Sequence, residues 1–222
     1  MSFDKILAIE TATNICSVCF QDETGEVHEK RTERKGSHSE LLFLFVKELK
    51  TENSFELRDL DSVLVSTGPG SYTGLRIAAS AVKGMFFGLD TAIYAGNTLA
   101  GFAQSMDKGS VHAVINARRK HLYHQQFKND ETLNAVSDSM ILELNEIEKK
   151  LTAGDQIIGT GIDRLSERSL EKVKIADPSK ISAKGLISLF NSTGPDEFFK
   201  KTTAEELESN YLTSSQVNNA SI

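Results

Sequence analysis

The first hundred residues alternate short apolar runs with clusters of turn formers. KILAIE (residues 5–10) sets an unbroken apolar stretch between charged ends and predicts a buried strand. ICSVCF (15–20) and the more polar EVHEKRT (26–32) follow across the turns TATN and DETG, giving three antiparallel strands. Ser37-x-x-Glu40 matches a capping box ahead of an apolar segment, so a helix is expected from Ser37 to about Lys50. DSVLVSTG (61–68) reads as a short buried strand ending in a glycine turn, and TGLRIAASAVKGMFFG (73–88) as a helix stopped by Gly88. TAIYAG (91–96) supplies another strand, and NTLAGFAQSM (97–106) a helix capped by Asn97. The first half therefore reads βββαβαβα.

Patterning weakens beyond MDKGS (106–110), the best candidate boundary. VHAVINA (111–117) and HLYHQQF (121–127) form a strand pair around a basic turn. A helix near 142–151, a strand at 156–161 and a helix near 183–191 complete the expectation. The chain divides on this reading into a first lobe at 1–105, a smaller second lobe at 106–212, tightly coupled to it, and a tail at 213–222. The tail, TSSQVNNASI, holds too few apolar groups to stay packed.

With 222 residues, 39% of them hydrophobic, the chain can bury a sizeable core. Its 31 acidic against 25 basic side chains leave a net charge of −6. That sign argues against a stand-alone nucleic-acid binder, which draws its affinity from lysines and arginines, but not against an acidic subunit of a larger tRNA-handling assembly. The longest apolar run, LLFLFV (41–46), is far short of the roughly 20 residues of a membrane helix. MSFDKILAIE, with Asp4 and Glu10, lacks the basic-then-apolar order of a leader, so a cytoplasmic protein with no membrane partner is expected. Cys16 and Cys19 have the spacing of a metal or redox pair. On a strand, however, residues three apart point to opposite faces, and no second CxxC or histidine pair completes a site, so two half-buried strand cysteines are expected. His28, His112, His121 and His124 are scattered over strand positions and predict no site; His38 lies beside the cap of the first helix.

GPGSYTGLR (68–76) carries the most candidate chemistry. Glycines at a strand-to-helix turn let backbone amides approach an anion at the positive end of a helix. The string is neither a Walker loop nor G-x-G-x-x-G, and Pro69 removes one donor. Gly68, Gly70, Ser71, Thr73 and Gly74 therefore read either as phosphate-binding or as a tight turn in which Thr73 caps the helix and Arg76 pairs locally. Glu10, Thr11 and Thr13 stand at the first hairpin turn, where they could surround phosphate or a hydrated metal, or serve as turn residues.

Four strings, ILAIETATNICSV, SHSELL, STGPGSYTGLRIAASAVKGM and INARRKHLY, spread over about residues 5–125, resemble the TsaB (YeaZ) family. The first half is similar to the actin, Hsp70 and sugar-kinase (ribonuclease H-like) fold: α/β, two lobes, here with a degenerate second lobe. The resemblance implies a non-catalytic accessory subunit in bacterial synthesis of threonylcarbamoyladenosine beside the tRNA anticodon. It would bind and activate a TsaD-like catalytic paralogue as a heterodimer, with a TsaE-like ATPase as a further partner, tRNA reached only through the complex, and a homodimer when alone. TsaD-like paralogues carry a His-x-x-x-His metal pair after the strand equivalent to TAIYAG. Residues 97–101 here read NTLAG, so no catalytic residue and no metal are expected, because a borderline transition metal needs such imidazoles. Glu10, Thr11, Thr13 and the 68–74 loop are then remnants of a nucleotide site, holding ATP or ADP only when a partner completes it. Asn116 stands where the family usually has aspartate, and Thr213 where it has arginine, so no role is carried over to them. Arg118 and Arg119, with Lys120, are either a solvated turn or a contact with a partner or tRNA.

LLFLFV places apolar side chains around more than a full helical turn. From Leu75 to Phe87 only Arg76, Ser80 and Lys83 are polar, with small residues at Ala78, Ala79, Ala81 and Gly84. Either the second lobe covers both helices or they join an intermolecular bundle through His38, Leu41, Leu42, Phe45, Leu75, Ala78, Ala79, Val82 and Met85. The competing reading is a small-metabolite kinase or ATPase of the same fold, with GTG (159–161) as its second phosphate loop. The short second half and the lack of an obvious base weigh against it. A peptidase would need an HExxH or a nucleophile with its base, and neither is present.

Overall fold

The computed structural model describes residues 4–33 and 38–209. In chain order the elements are β1 (Ile6–Glu10), β2 (Cys16–Gln21), β3 (Val27–Thr32), α1 (His38–Asn53), β4 (Ser62–Gly68), α2 (Tyr72–Phe86), β5 (Ala92–Asn97), α3 (Thr98–Gln104), β6 (Gly109–Asn116), β7 (His121–Asn129), β8 (Leu133–Ala135), β9 (Met140–Glu143), α4 (Leu144–Lys150), β10 (Gln156–Gly159), α5 (Glu167–Leu170), β11 (Lys174–Ile175), α6 (Lys184–Thr193) and β12 (Phe199–Thr202). Every element expected in the first half is present. The Ser37 cap, the 213–222 tail and Thr213 lie outside the described residues.

Two six-stranded sheets carry the fold. The first runs β12-β5-β4-β1-β2-β3, and the second runs β11-β10-β6-β7-β8 with β9 also paired to β7. In the first, β1, β4 and β5 are parallel while β2 and β3 return antiparallel, as the apolar runs and tight turns dictate. The strand β12 pairs antiparallel with β5, so residues beyond 198 complete the first sheet, whereas the division at 105/106 assigned them to the second lobe.

Both faces of the first sheet are buried. Leu7, Ile9, Val18, Val63 and Val65 pack under α1 and α2. Ile6, Ala8, Cys19 and Leu64 join α3, α6 and the inner face of the second sheet in one cluster that includes Val111, Ala113 and Phe127. A smaller cluster of Val114, Leu122 and Ile157 lies under Ile147 of α4. The layers therefore run helices, sheet, helices, sheet, helix, and the middle helical layer belongs to both halves. A polar clamp reinforces it: Glu29 Oε1 accepts from Ser17 Oγ (2.7 Å) and Ser182 Oγ (2.6 Å), and Arg31 Nε donates to the Ile181 carbonyl (3.0 Å).

Cys16 faces the α1–α2 layer and Cys19 the α3–α6 layer, on opposite sides as strand geometry requires, and both thiols are free. They are fully buried rather than half-buried, and burial pushes both up to about 12. The histidines correct the sequence reading more sharply. The β6–β7 pairing brings His112 and His124 together, Nδ1 to Nε2 at 2.9 Å, with no exposed surface on either ring. Asp155 Oδ2 stands 3.3 Å from His112 Nε2, close enough for attraction but not aligned as a hydrogen bond. Burial lowers the His112 imidazole despite Asp155, and lowers His124 to about 3.

Candidate functional site

The hairpin turn after β1 and the glycine loop before α2 do come together, but they fill one another. Ser71 N–H donates to the Ala12 carbonyl (2.7 Å), Thr11 Oγ1 donates to the Gly74 carbonyl (2.9 Å), and Gly74 N–H donates to Ser71 Oγ (3.3 Å). Ser71, not Thr73, is the helix cap. A Cβ at Gly70 would sit 2.6 Å from that of Ala12, and one at Gly74 would fall on the Thr11 carbonyl oxygen. The glycines thus allow close approach of backbone to backbone, and the amides of Ser71 and Gly74 are spent inside the chain. Thr13 Oγ1 accepts from Ile15 N–H, and His38 Nε2 lies 3.1 and 3.2 Å from the Thr13 and Ile15 carbonyls. Since carbonyls only accept, that nitrogen carries the hydrogen and pins the start of α1 to the turn. Arg76 does pair locally, stacking on Tyr72 and donating to its hydroxyl at 2.6 Å.

Glu10 is buried beneath this turn, accepting from Ala12 N–H (2.6 Å) and bonded to Ser66 Oγ. Burial raises its carboxyl from 4.5 to about 7, although both bonds oppose the change. Between those values the folded chain binds more protons than the unfolded one, so stability falls as pH rises through the window, by about 3 kcal/mol in all. His124 acts with the opposite sign: unfolded near 6.5 and folded near 3, it withdraws stability as pH falls below 6.5. The two oppose each other between pH 4.5 and 6.5, so in urea midpoints measured from pH 4 to 8 Glu10→Gln is expected to make stability rise more steeply with pH over that window, and His124→Gln to make it fall. A variant that keeps the wild-type slope between pH 4.5 and 6.5 refutes that assignment.

An open cleft of ≈ 630 Å³ runs from Thr13, Ser39 and Thr73 across to Asn116 and Thr160. The GTG expected as a second phosphate loop borders it but is locked in the sheet. Thr160 N–H donates to the Val114 carbonyl (3.0 Å), Thr160 Oγ1 accepts from Asn116 N–H (3.1 Å), and a Cβ at Gly159 would fall on the Val114 carbonyl. Arg164, which the sequence reading passed over, donates to Asn116 Oδ1 and to the Arg119 and His121 carbonyls.

The place expected to lack a metal pair has its own use. Asn97 Oδ1 accepts from Leu99 and Ala100 N–H (2.9 and 3.1 Å), capping α3, while Nδ2 reaches Gln125. Gly101 meets α6: a Cβ on Gly185 would run into its carbonyl, and one on Gly101 would touch Leu186 at 3.0 Å. A side chain at Gly101 would break this packing, and neither the Asn97 amide nor Gly101 offers the imidazole such a metal needs, so these residues do not fit the metal. Among the described residues the only metal-compatible group is Asp22, Glu26 and His28 at the β2–β3 turn, a partly exposed cluster.

The expected helix interface is corrected by the phase of the helices. Leu42 is 0% exposed, and Leu75, Ala78, Ala79 and Val82 are also buried in the chain's own core; His38 is buried, and Leu41, Phe45 and Met85 are half-buried. Large apolar side chains that stay exposed are Phe43 (50%) and Leu44 (44%) on α1 and Phe87 (72%) just past α2, while Tyr72 is covered in part by Arg76. Between Phe43 and Tyr72 lies a groove lined also by Ser39, Arg76, Ile77 and Ser80.

Strand order β3-β2-β1-β4-β5, antiparallel then parallel, with helices on both faces, defines an α/β protein of the two-lobed actin-like ATPase fold. Residues 21–206 match the family described as "TsaD: tRNA N6-adenosine threonylcarbamoyltransferase", and the chain belongs to that family. Its relatives are named as tRNA threonylcarbamoyladenosine biosynthesis protein TsaB. That of Escherichia coli K12 is 31% identical over 57% of this chain and 56% of its own length, so the match spans little more than half of that relative. That of Bacillus subtilis is 29% identical over 82% of this chain and 79% of its own. The structure of YeaZ from Pseudomonas aeruginosa superposes with a TM-score of 0.78 at 24% identity, covering 95% of this chain and all of that one, a likeness of fold. No helix among the described residues is long and apolar enough to cross a membrane.

Proposed function

We propose that this chain is a non-catalytic accessory subunit in the cytoplasmic synthesis of threonylcarbamoyladenosine on tRNA, docking through α1 and α2 onto a TsaD-like catalytic paralogue. The carrying observation is the exposed apolar pair Phe43 and Leu44 on α1, with the groove that runs from Phe43 to α2. Its apolar area is of the kind that marks protein association, and in the absence of the paralogue a second copy of the chain takes the same face. The names of the relatives support the pathway. The internal use of the Ser71 and Gly74 amides and of Thr160 supports a chain that does not hold ATP or ADP by itself, and weighs against a kinase. Nucleotide then enters only with the partner, and a TsaE-like ATPase is a further member of the assembly.

The test is reconstitution. Purified chain and catalytic paralogue should sediment as one complex, and tRNA should gain threonylcarbamoyl only when both are present. Product formed by this chain alone, or two proteins that never sediment together, overturns the proposal.

A further inference from the structure

Four cations gather at the β6–β7 turn of a chain whose net charge is −6. Arg118, Arg119 and Lys120 are exposed, and none forms an ion pair among the described residues. The fourth, Arg164, spends its guanidinium on neutral oxygens only, Asn116 Oδ1 and the carbonyls of Arg119 and His121, so its charge is not cancelled by them. Arg119 is held at φ 57°, left-handed backbone that a side chain disfavours by roughly 1–2 kcal/mol, and it is this residue's carbonyl that Arg164 grips. The nearby carboxylate of Glu143 faces His121 at 4.0 Å.

The turn also has a defined place. The groove between α1 and α2 and the open cleft share Ser39, Thr73 and Ile77, and the cleft ends at Asn116, the residue bonded to Arg164. No carboxylate lines that cleft among the described residues. The cations therefore stand across an acid-free cleft from the docking face, beside whatever a docked partner carries. No exposed large hydrophobic side chain lies in 116–121, which argues against a protein contact, since those are built around an apolar centre.

We propose that the Arg118–Arg119–Lys120 turn, held in shape by Arg164 as a positioning residue, contacts the phosphodiester backbone of RNA bound on the partner subunit. This rests on the accessory-subunit reading. Contacts of that kind position RNA without reading its bases, and each one releases counterions and so steepens the salt dependence.

The experiment uses the complex of full-length chain with its catalytic paralogue, and unmodified tRNA as probe, titrated over a series of sodium chloride concentrations. For R118A/R119A we expect binding at least tenfold weaker at low salt and a log–log salt slope shallower by about 1.4–1.8, at 0.7–0.9 for each lost contact. R118K/R119K should keep the slope. R164A should weaken binding alone but add nothing on top of R118A/R119A, whereas an additive loss would overturn its positioning role. Unchanged affinity and slope in R118A/R119A overturn the proposal; so does a double variant that no longer joins the paralogue, which would make the turn a protein contact. If the wild-type chain never joins the paralogue, it is the accessory-subunit reading that fails. The same titration on the chain alone then decides for the turn: salt-sensitive binding lost in R118A/R119A upholds it, and no binding overturns it.

Discussion

Leu42→Asp is expected to unfold the protein, while Leu44→Asp, two residues further along the same helix, leaves it folded and abolishes association. Leu42 has no exposed surface and packs with Val46, Leu49 and the strands β1 and β2. Truncating such a leucine to alanine already costs about 2–5 kcal/mol, and a buried unpaired carboxylate adds to it. Leu44 points the other way, so its replacement should change stability by no more than about 0.5 kcal/mol. Thermal unfolding and sedimentation velocity read the two effects separately. Leu44→Asp sedimenting as wild type does would show that this face is not the interface. A folded but dissociated Leu42→Asp would show that the helix is turned the other way.

The second large effect lies at the glycine loop. Gly74→Ala drives a methyl group into the backbone carbonyl of Thr11, an atom that cannot swing aside as a side chain could. The Thr11–Gly74 and Ser71–Ala12 hydrogen bonds must then part together. A loss of about 3 kcal/mol or more is expected, the upper end for overpacking. For a chain of this size that lowers Tm by about 6–12 °C. Gly84 is the control: it lies on the same helix with nothing within 4 Å of a built Cβ, and Gly84→Ala should stabilise by about 0.5–1 kcal/mol through helix propensity. A large loss at Gly74 beside a small gain at Gly84 would show close packing of the loop on the Thr11 turn; no loss at Gly74 would overturn it.

What the sequence disclosed is what is encoded locally. Strands β1 and β4 carry unbroken apolar runs, β2 a run interrupted only by Ser17, and Asn97 announces the cap of α3, so the first half could be read residue by residue. The strands β8, β9, β11 and β12 are too short, two to four residues, to show a period. FKKT gives no hint that it will pair with a strand about a hundred residues earlier. Rotation of a helix about its axis is similarly invisible when apolar residues run in series. LLFLFV established that more than one face of α1 is apolar but not that Leu42 looks inward and Phe43 and Leu44 outward. His112 and His124 escaped because they meet diagonally across a hairpin, a matter of register. At the site, the turn of Glu10 and Thr11 does meet the glycine loop, but sequence could not show that Ala12 packs against Gly70 and takes the Ser71 amide on its carbonyl.

The middle helical layer has a mechanical consequence. A hinge requires a plane across which few contacts run, and here α3, α6, the returning strand β12 and the Glu29–Ser182 and Arg31–Ile181 bonds all cross it. Separating the halves would expose apolar surface on both and strip β5 of its outer neighbour. The two lobes thus behave as one stiff block, and the distance from the face of Phe43 and Leu44 to the turn of Arg118 is a fixed length set by the core, as in a ruler.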